Sequence, residues 1–240
     1  DLDFDGIYDS VDDCVGAYDE CGVCNGDGAP CPCQGPVAYH GYEYAVIEIG
    51  EQCWFAENLR TDMYQNGDSL LSALALEEWA ATEMGASSIY GEDENAIVYD
   101  GASDSQTNLE TFGRVYNGYA VLDSRGLCPQ QWHIPAVEEW VEMIDLFGGT
   151  ANAGLQLKGL ITWINDGGGT NISGFNGLAG GRRRASGNYN AQGTNGYWWH
   201  YEGGDGFENM TVTYLNYSHD EAPFVEYDVH TGASIRCIKD

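Results

Sequence analysis

The chain has 240 residues, which is enough for one good-sized domain and a small appendage. It contains 38 acidic residues against 9 lysines and arginines, giving a net charge of −29. This charge repels nucleic acids and anionic membranes and favours metal cations, and no apolar run approaches the length of a membrane span.

The first twelve residues have the spacing of a calcium-binding loop. Carboxylates at alternate positions converge as such a loop coils around the ion, Gly6 permits the sharp turn, and residue 7 offers its backbone carbonyl. We therefore predict calcium as a cofactor, bound by Asp1, Asp3, Asp5, Ile7, Asp9 and Asp12. Two alternatives stay open: an acidic linker that binds nothing, and a dockerin module, against which the missing helical pattern argues. Because the chain begins inside this motif, we expect the natural N-terminus to lie upstream.

The cysteines predict an oxidising compartment. There are eight, an even number, and five of them fall within the first 33 residues: Cys14, Cys21, Cys24, Cys31 and Cys33, followed by Cys53, Cys128 and Cys237. The Cys21-x-x-Cys24 spacing also occurs in zinc sites, but the surrounding acids, with no base among them, favour disulfides. Glycosylation triplets at Asn171, Asn209 and Asn216 agree with export. We expect an extracellular or cell-surface location.

The composition changes near residue 35. Residues 1–35 are rich in Asp, Gly and Cys and lack aliphatic periodicity, so metal and disulfides must hold this segment. The rest of the chain has enough apolar and aromatic side chains to bury a core. We therefore predict a small calcium- and disulfide-stabilised stalk segment at 1–35 and a globular domain at 36–240.

Hydrophobic periodicity predicts two main helices in the globular domain. Apolar and polar residues alternate in part over residues 37–49, which predicts a strand or hairpin. Residues 70–84 have apolar side chains at helical spacing, and residues 135–147 have the clearest helical pattern, with a proline at the start and two glycines after the end. The polar residues 85–108 predict a long loop.

The remainder of the domain predicts short strands. From residue 154 onward, glycines divide the chain into short segments, which is typical of turns and brief strands, and residues 233–238 predict the last strand. Two main helices among short irregular strands predict the α+β class.

Eight sequence blocks resemble, in order, the Fibrobacter succinogenes major paralogous domain of exported bacterial proteins. The resemblance runs from about residue 37 to the end, and its blocks include IGEQCWFAENLR at 49–60, VYNGYAV at 115–121, GLCPQQWHIP at 126–135, EEW at 138–140, GTNISGF at 169–175, GGR at 180–182, GYWW at 196–199 and SIRCIKD at 234–240. This resemblance implies the C-type-lectin-like fold, in the variant shared with formylglycine-generating enzymes and retroelement-diversified variable proteins. Residues 1–12 resemble a thrombospondin type 3 repeat, and residues 19–28 resemble the cysteine-rich linkers beside such repeats.

The disulfide pairing follows in part from this resemblance. Cys128 and Cys237 stand where a structural bridge is expected, and that bridge would tie the middle of the domain to the last strand. Cys53 then needs a partner among the five N-terminal cysteines, with Cys33 and Cys31 as candidates. The four that remain would pair locally.

Polar aromatic residues in the C-terminal third predict a ligand-binding face. Tyrosine and tryptophan give rigid contact area with polar handles, asparagine gives adaptable hydrogen bonds, and arginine suits an anionic ligand or a carboxylate sugar. The predicted ligand residues are Tyr189, Asn190, Trp198, Trp199, His200, Tyr201, Tyr214, Asn216, Tyr217 and Arg183. The same aromatic stretch contains Tyr197 and His219, and Arg183 is the middle residue of the run Arg182-Arg183-Arg184. The alternative is that some of these aromatics form core and that the arginines pair with the protein's own acids.

We expect no catalysis. The five histidines have no metal-ligand spacing, and nucleophile and phosphate-binding motifs are missing from the sequence. Formylglycine-generating enzymes need two reactive cysteines in the C-terminal part of the fold, where this chain has only Cys128 and Cys237. The Glu-Pro-Asn, Gln-Pro-Asp and Trp-Asn-Asp motifs of calcium-dependent lectins do not occur either, so sugar binding by that mechanism is unsupported.

The leading interpretation is a non-catalytic exported bacterial surface protein for ligand recognition or adhesion, with a calcium-stabilised stalk. Its partner would be a glycan or protein ligand on a surface. The alternative is a structural subunit of an extracellular fibre or surface assembly, in which copies of the chain contact one another. An enzyme resembling the formylglycine-generating enzymes is the least favoured interpretation.

Overall fold

The computed structural model describes residues 33–93, 95–98, 105–202 and 208–240. The predicted calcium loop, the thrombospondin-like repeat and the cysteines Cys14, Cys21, Cys24 and Cys31 lie outside the described residues. None of the helices in these ranges is long and apolar enough to cross a membrane.

The described residues form thirteen strands and five short α-helices. The strands are β1 Val37–Tyr39, β2 Tyr42–Tyr44, β3 Val46–Ile49, β4 Gln52–Phe55, β5 Ser87–Ser88, β6 Val115–Tyr116, β7 Trp132–His133, β8 Gly180–Arg183, β9 Tyr189–Gln192, β10 Asn195–Trp199, β11 Asn209–Asn216, β12 Phe224–Asp228 and β13 Ile238–Lys239. The helices are α1 Leu76–Ala81, α2 Ser105–Phe112, α3 Gly118–Leu122, α4 Val137–Leu146 and α5 Gly154–Leu157, and a 3₁₀ turn covers Ile164–Asp166.

The strands pair into five small antiparallel sheets. The largest has four strands in the order β3-β4-β13-β7, and the next has three in the order β10-β11-β12. The hairpins β1-β2 and β8-β9 and the pair β5-β6 are separate two-stranded sheets. Two apolar cores flank β10: Trp199 belongs to one and Trp198 to the other. This strand is therefore covered on both faces.

The expected α+β, C-type-lectin-like architecture with two main helices is wrong. The structure is an assembly of small β-sheets with short helices between them. In the segment predicted as helix 70–84, Leu71 donates its N–H to Gly85 O and accepts from Ser87 N, which is strand-like pairing. Ala73 has a positive φ of 52°, so the chain turns there and only the six residues of α1 become helical.

Other elements follow the sequence more closely. Helix α4 confirms the helix predicted over 135–147, and Trp140 and Ile144 on its inner face are buried. Glu139 accepts a hydrogen bond from Ala136 N at 2.8 Å and so caps its N-terminus. The strand or hairpin predicted over 37–49 is confirmed by β1, β2 and β3. The predicted loop 85–108 instead contains β5 and the start of α2, and the predicted last strand is only the two residues of β13.

Two disulfides tie these elements together. Cys128 and Cys237 are bonded, as expected, and join the loop before β7 to the residue before β13. Cys33 is bonded to Cys53 in β4, which attaches the start of the described domain to its largest sheet. Disulfides of this kind persist in oxidising compartments and indicate that the protein folds outside a reducing cytoplasm.

Candidate functional site

Half of the residues predicted to bind a ligand lie in the interior. Tyr189, Trp198, Trp199, His200 and Arg183 are each at most 1% exposed. The cause is the position of β10 between the two cores, which buries side chains on both of its faces, whereas the prediction placed them on a surface. These five residues offer no contact area to a ligand in this conformation.

Arg183 is buried within the protein's own hydrogen-bond network. Its guanidinium donates to Leu74 O at 2.9 Å and to Gly187 O at 2.9 Å, and it lies 3.4 Å from Asp93 Oδ2. The rings of Trp79 and Tyr189 flank it, with centroids 4.5 and 4.9 Å from its guanidinium carbon. The structural role that the sequence left open for this arginine is therefore the one observed.

The neighbouring Arg182 has a different environment. Side chains alternate along a strand, so Arg182 lies on the opposite face of β8 from Arg183. Its guanidinium carbon is 4.2 Å from the ring centroid of Tyr227 and 5.0 Å from that of Tyr197, and its Nε donates to Asn190 Oδ1 at 3.2 Å. The side chain is half-buried, and no carboxylate of the described residues pairs with it.

Three tyrosines from three adjacent strands surround this arginine. Tyr197 of β10 is in register with Tyr214 of β11, and their ring centroids are 5.9 Å apart. Tyr227 of β12 meets Tyr197 edge to face, also at 5.9 Å. We call Arg182, Asn190, Tyr197, Tyr214 and Tyr227 the tyrosine–arginine surface. Burial raises the pKa of both Tyr197 and Tyr214, so their hydroxyls stay protonated and able to donate hydrogen bonds at neutral pH.

This surface brings together three residues of the predicted aromatic face, Asn190, Tyr197 and Tyr214. Arg182 belongs to the predicted arginine run, of which Arg183 was the residue assigned to the site, and sequence reasoning did not assign Tyr227. The two-residue alternation of a strand was the available signal for Arg182, because it separates the middle arginine of the Arg182-Arg183-Arg184 run from its neighbours. Of the other predicted residues, Asn216 bonds to Asn195 at the end of β11, and Tyr217 packs against the core that contains Trp198.

Tyr201 lines a separate cleft of about 280 Å³. The buried residues Leu127, Cys128 and Trp132 line it together with Tyr201, which is 43% exposed. One of its polar side chains, Gln65, already donates to Cys128 O at 2.8 Å.

His133, on the rim of this cleft, lies between two carboxylates. Its Nδ1 is 2.7 Å from Asp240 Oδ1 and its Nε2 is 2.9 Å from Glu139 Oε1. The hydrogen bond with Glu139 is the main cause that raises the pKa of His133 above its usual value. Both ring nitrogens are therefore used inside the protein, where they join the C-terminal residue to α4, and neither is left for a ligand.

The described part of the chain contains neither a metal-binding cluster nor a free thiol. Within it, no group of three or more His, Cys, Asp and Glu side chains is arranged to hold a metal ion. Each of its four cysteines is in a disulfide. The predicted calcium ligands lie outside the described residues.

Comparison with known families gives one result. The model of the Fibrobacter succinogenes major domain matches residues 47–239. Comparison with curated proteins and with solved structures finds no match. The matched segment includes β4, β13, the Cys128–Cys237 disulfide and the whole tyrosine–arginine surface. Of the other disulfide it includes Cys53 but not Cys33. The chain belongs to the Fibrobacter succinogenes major domain family.

Proposed function

We propose that this chain is a non-catalytic recognition module of an exported bacterial protein, and that its tyrosine–arginine surface binds a sugar that carries a carboxylate. The observation that supports this most directly is that no carboxylate of the described residues pairs with Arg182. Five of the other basic residues pair with carboxylates of the chain: Arg60, Arg114, Arg125, Lys158 and Arg183. In a chain with 38 acids, a half-buried arginine that has no such partner in the described part of the chain is a site at which an external carboxylate fits.

The chemistry of the surface suits that ligand. A guanidinium presents a planar fork of N–H groups, and here the terminal nitrogens remain after Nε has bonded Asn190. The half-buried Tyr214 and Tyr227 offer ring faces to a sugar and hydroxyls to its polar edge, whereas Tyr197 is only 5% exposed and serves to pack against the arginine. Stacking on Tyr197 and Tyr227 fixes the plane of the guanidinium before a ligand arrives, which lowers the entropy lost on binding.

Replacing Arg182 with glutamine should weaken binding of an oligogalacturonate by about 10- to 100-fold. Charge-assisted hydrogen bonds contribute about 1.5 to 3 kcal/mol each, and the variant loses the fork that forms them. Isothermal titration calorimetry at 150 mM salt measures the effect, because at that ionic strength the distant acidic residues of the chain are screened beyond about 8 Å.

Arg184→Gln is the matched control. It removes the same charge two residues away, from a side chain that is exposed and lies outside the surface. Its affinity should stay within twofold of wild type, and a neutral galacto-oligosaccharide should bind the wild-type protein more weakly than the oligogalacturonate does. Equal binding by wild type and Arg182→Gln, or equal losses in the two variants, would contradict the proposal.

We also propose that calcium holds residues 1–12 in a stalk, on the strength of the loop spacing in the sequence. Chelation with EDTA should make residues 1–33 more sensitive to limited proteolysis, while near-ultraviolet circular dichroism shows that the domain stays folded. Adding back calcium should restore protection, and adding the same concentration of magnesium should restore less. Unchanged proteolysis of this segment after chelation would refute the calcium proposal and leave the ligand proposal untouched.

A further inference from the structure

A second surface, separate from the tyrosine–arginine surface, is unusual in both exposure and charge. Residues 150–178 form a lobe that contains α5 and the 3₁₀ turn. Within the described residues, this lobe holds five of the ten large apolar side chains that are most exposed: Leu155, Leu160, Ile161, Ile164 and Ile172. Leu160, Ile161 and Ile172 are 69%, 66% and 74% exposed. Exposed apolar side chains concentrated in one region mark an interaction surface.

The backbone of the lobe is held in place by hydrogen bonds between its two halves. Gly169 N donates to Gly159 O, Thr170 N to Leu155 O and Asn171 N to Lys158 O, at 3.0, 2.8 and 3.1 Å. Beneath them, Leu157 and Phe175 are fully buried in the core that contains Trp198. The exposed apolar side chains therefore stand on a fixed support.

The lobe is almost free of charge. Its 29 residues contain one lysine and one aspartate, in a chain whose net charge is −29. Lys158 is buried and donates to Asn216 O and His219 O, so the one charge on the lobe's surface is that of Asp166. The acidic residues thus lie almost entirely outside this lobe.

We propose that the lobe is the surface through which two copies of this chain associate. Two molecules of charge −29 repel each other wherever their acidic surfaces approach. At the lobe the two facing surfaces carry only Asp166 of their own, with Asp220 and Glu221 at the edge beside α5, and the same apolar side chains meet across a two-fold axis. A basic partner would instead be drawn to the acidic remainder of the surface, so this neutral apolar patch fits a second copy better than it fits a basic protein.

The size of the patch sets the strength of the association. The five side chains expose on the order of 500 Å² per copy, so a dimer that covered all of them would bury about 1,000 Å², the lower bound for a specific interface. We therefore expect a weak, reversible dimer with a dissociation constant in the range of about 10 µM to 1 mM.

Sedimentation equilibrium of the full chain tests this directly. Between about 10 µM and 1 mM protein, the average mass should rise above the monomer value of 26.2 kDa, and it should rise further in 1 M than in 0.15 M sodium chloride. Salt strengthens an apolar contact between like-charged molecules because it screens their repulsion. A contact that instead paired Arg182 with acids of another copy would weaken in salt and would be lost in Arg182→Gln.

Two double variants with equal added charge complete the test. Leu160→Glu with Ile172→Glu should lower the association constant at least tenfold. Met84→Glu with Ile97→Glu, at apolar positions that are 62% and 53% exposed but lie outside the lobe, should leave it within about twofold of wild type. All four substitutions are at exposed positions, so folding is preserved. A monomeric wild type at 1 mM in high salt, or equal losses in the two variants, would overturn the proposal without affecting ligand binding by Arg182.

Discussion

The protein should lose about 2 kcal/mol of unfolding free energy through His200 alone when the pH falls from 7 to 5. His200 is fully buried, and desolvation lowers its pKa from 6.5 to about 3. Its imidazole stacks on Trp140 with the ring centroids 5.3 Å apart, and Nε2 lies 2.8 Å from Thr213 Oγ1. No carboxylate of the described residues pairs with it, so nothing there stabilises the charged form.

The direction in which the unfolding free energy changes with pH follows from the protonation states of His200 in the folded and the unfolded chain. Above pH 6.5 the histidine is neutral in both the folded and the unfolded chain, so it contributes no pH dependence. As the pH falls below 6.5, the unfolded chain binds a proton that the folded chain does not, and stability falls. The loss continues until the pH reaches about 3 and amounts to about 5 kcal/mol in all, at 1.36 kcal/mol per pKa unit.

The measurement compares wild type with His200→Gln by urea unfolding at pH 7 and pH 5. Glutamine keeps a polar partner for Thr213 but does not titrate, so the variant should lose about 2 kcal/mol less than wild type between the two values. The measurement uses the difference between wild type and variant because the 38 acids of the chain also titrate in acid. The relief of their mutual repulsion changes the stability of both proteins alike and therefore cancels.

His230→Gln is the control. This histidine lies in the turn after β12, partly exposed, with Nδ1 2.8 Å from Asp228 Oδ1. The variant should retain the acid-dependent loss that is due to His200. If His200→Gln and wild type lost the same free energy between pH 7 and pH 5, the buried imidazole would not be the cause.

The fold was predictable where a local pattern agreed with the tertiary contacts. Helix α4 has an apolar face, a capping glutamate and terminating glycines, and all of them favour the same structure. The segment 70–84 has apolar residues at similar spacing, but the pairing of Leu71 with Gly85 and Ser87 overrides the helical preference before α1. Single-sequence periodicity has no information about a partner strand, so the expected second main helix could not be excluded in advance.

The candidate site was predictable in composition but not in position. The prediction of a ligand face rich in Tyr, Asn and Arg named Asn190, Tyr197 and Tyr214, which the structure brings together in the tyrosine–arginine surface. It placed Trp198 and Trp199 on the same face, yet consecutive residues of a strand point to opposite sides, and here each side is a core. Whether a strand is covered on one face or on both depends on contacts between distant segments, which no local pattern states.

Removing the Cys128–Cys237 disulfide should cost about 5 kcal/mol of unfolding free energy, and removing Cys33–Cys53 about 3 kcal/mol. In the chain-entropy account, a cross-link destabilises the unfolded state more when it closes a longer loop. The two bridges span 109 and 20 residues, respectively. The longer loop contains the three-stranded sheet and the β8-β9 hairpin, so its closure limits the unfolded chain across most of the domain.

The fold gives the longer bridge a second role, because Cys237 directly precedes β13. That strand has only two residues, yet it lies between β4 and β7 in the largest sheet. Two residues of ladder pairing hold a central strand weakly, so the covalent link to Cys128 keeps it in place.

Urea unfolding of Cys128→Ala with Cys237→Ala, and of Cys33→Ala with Cys53→Ala, measures both losses, and the paired substitutions leave no new free thiol to mispair. Comparable losses from the two variants, or a larger loss from the shorter bridge, would show that loop closure does not govern how these disulfides stabilise the domain.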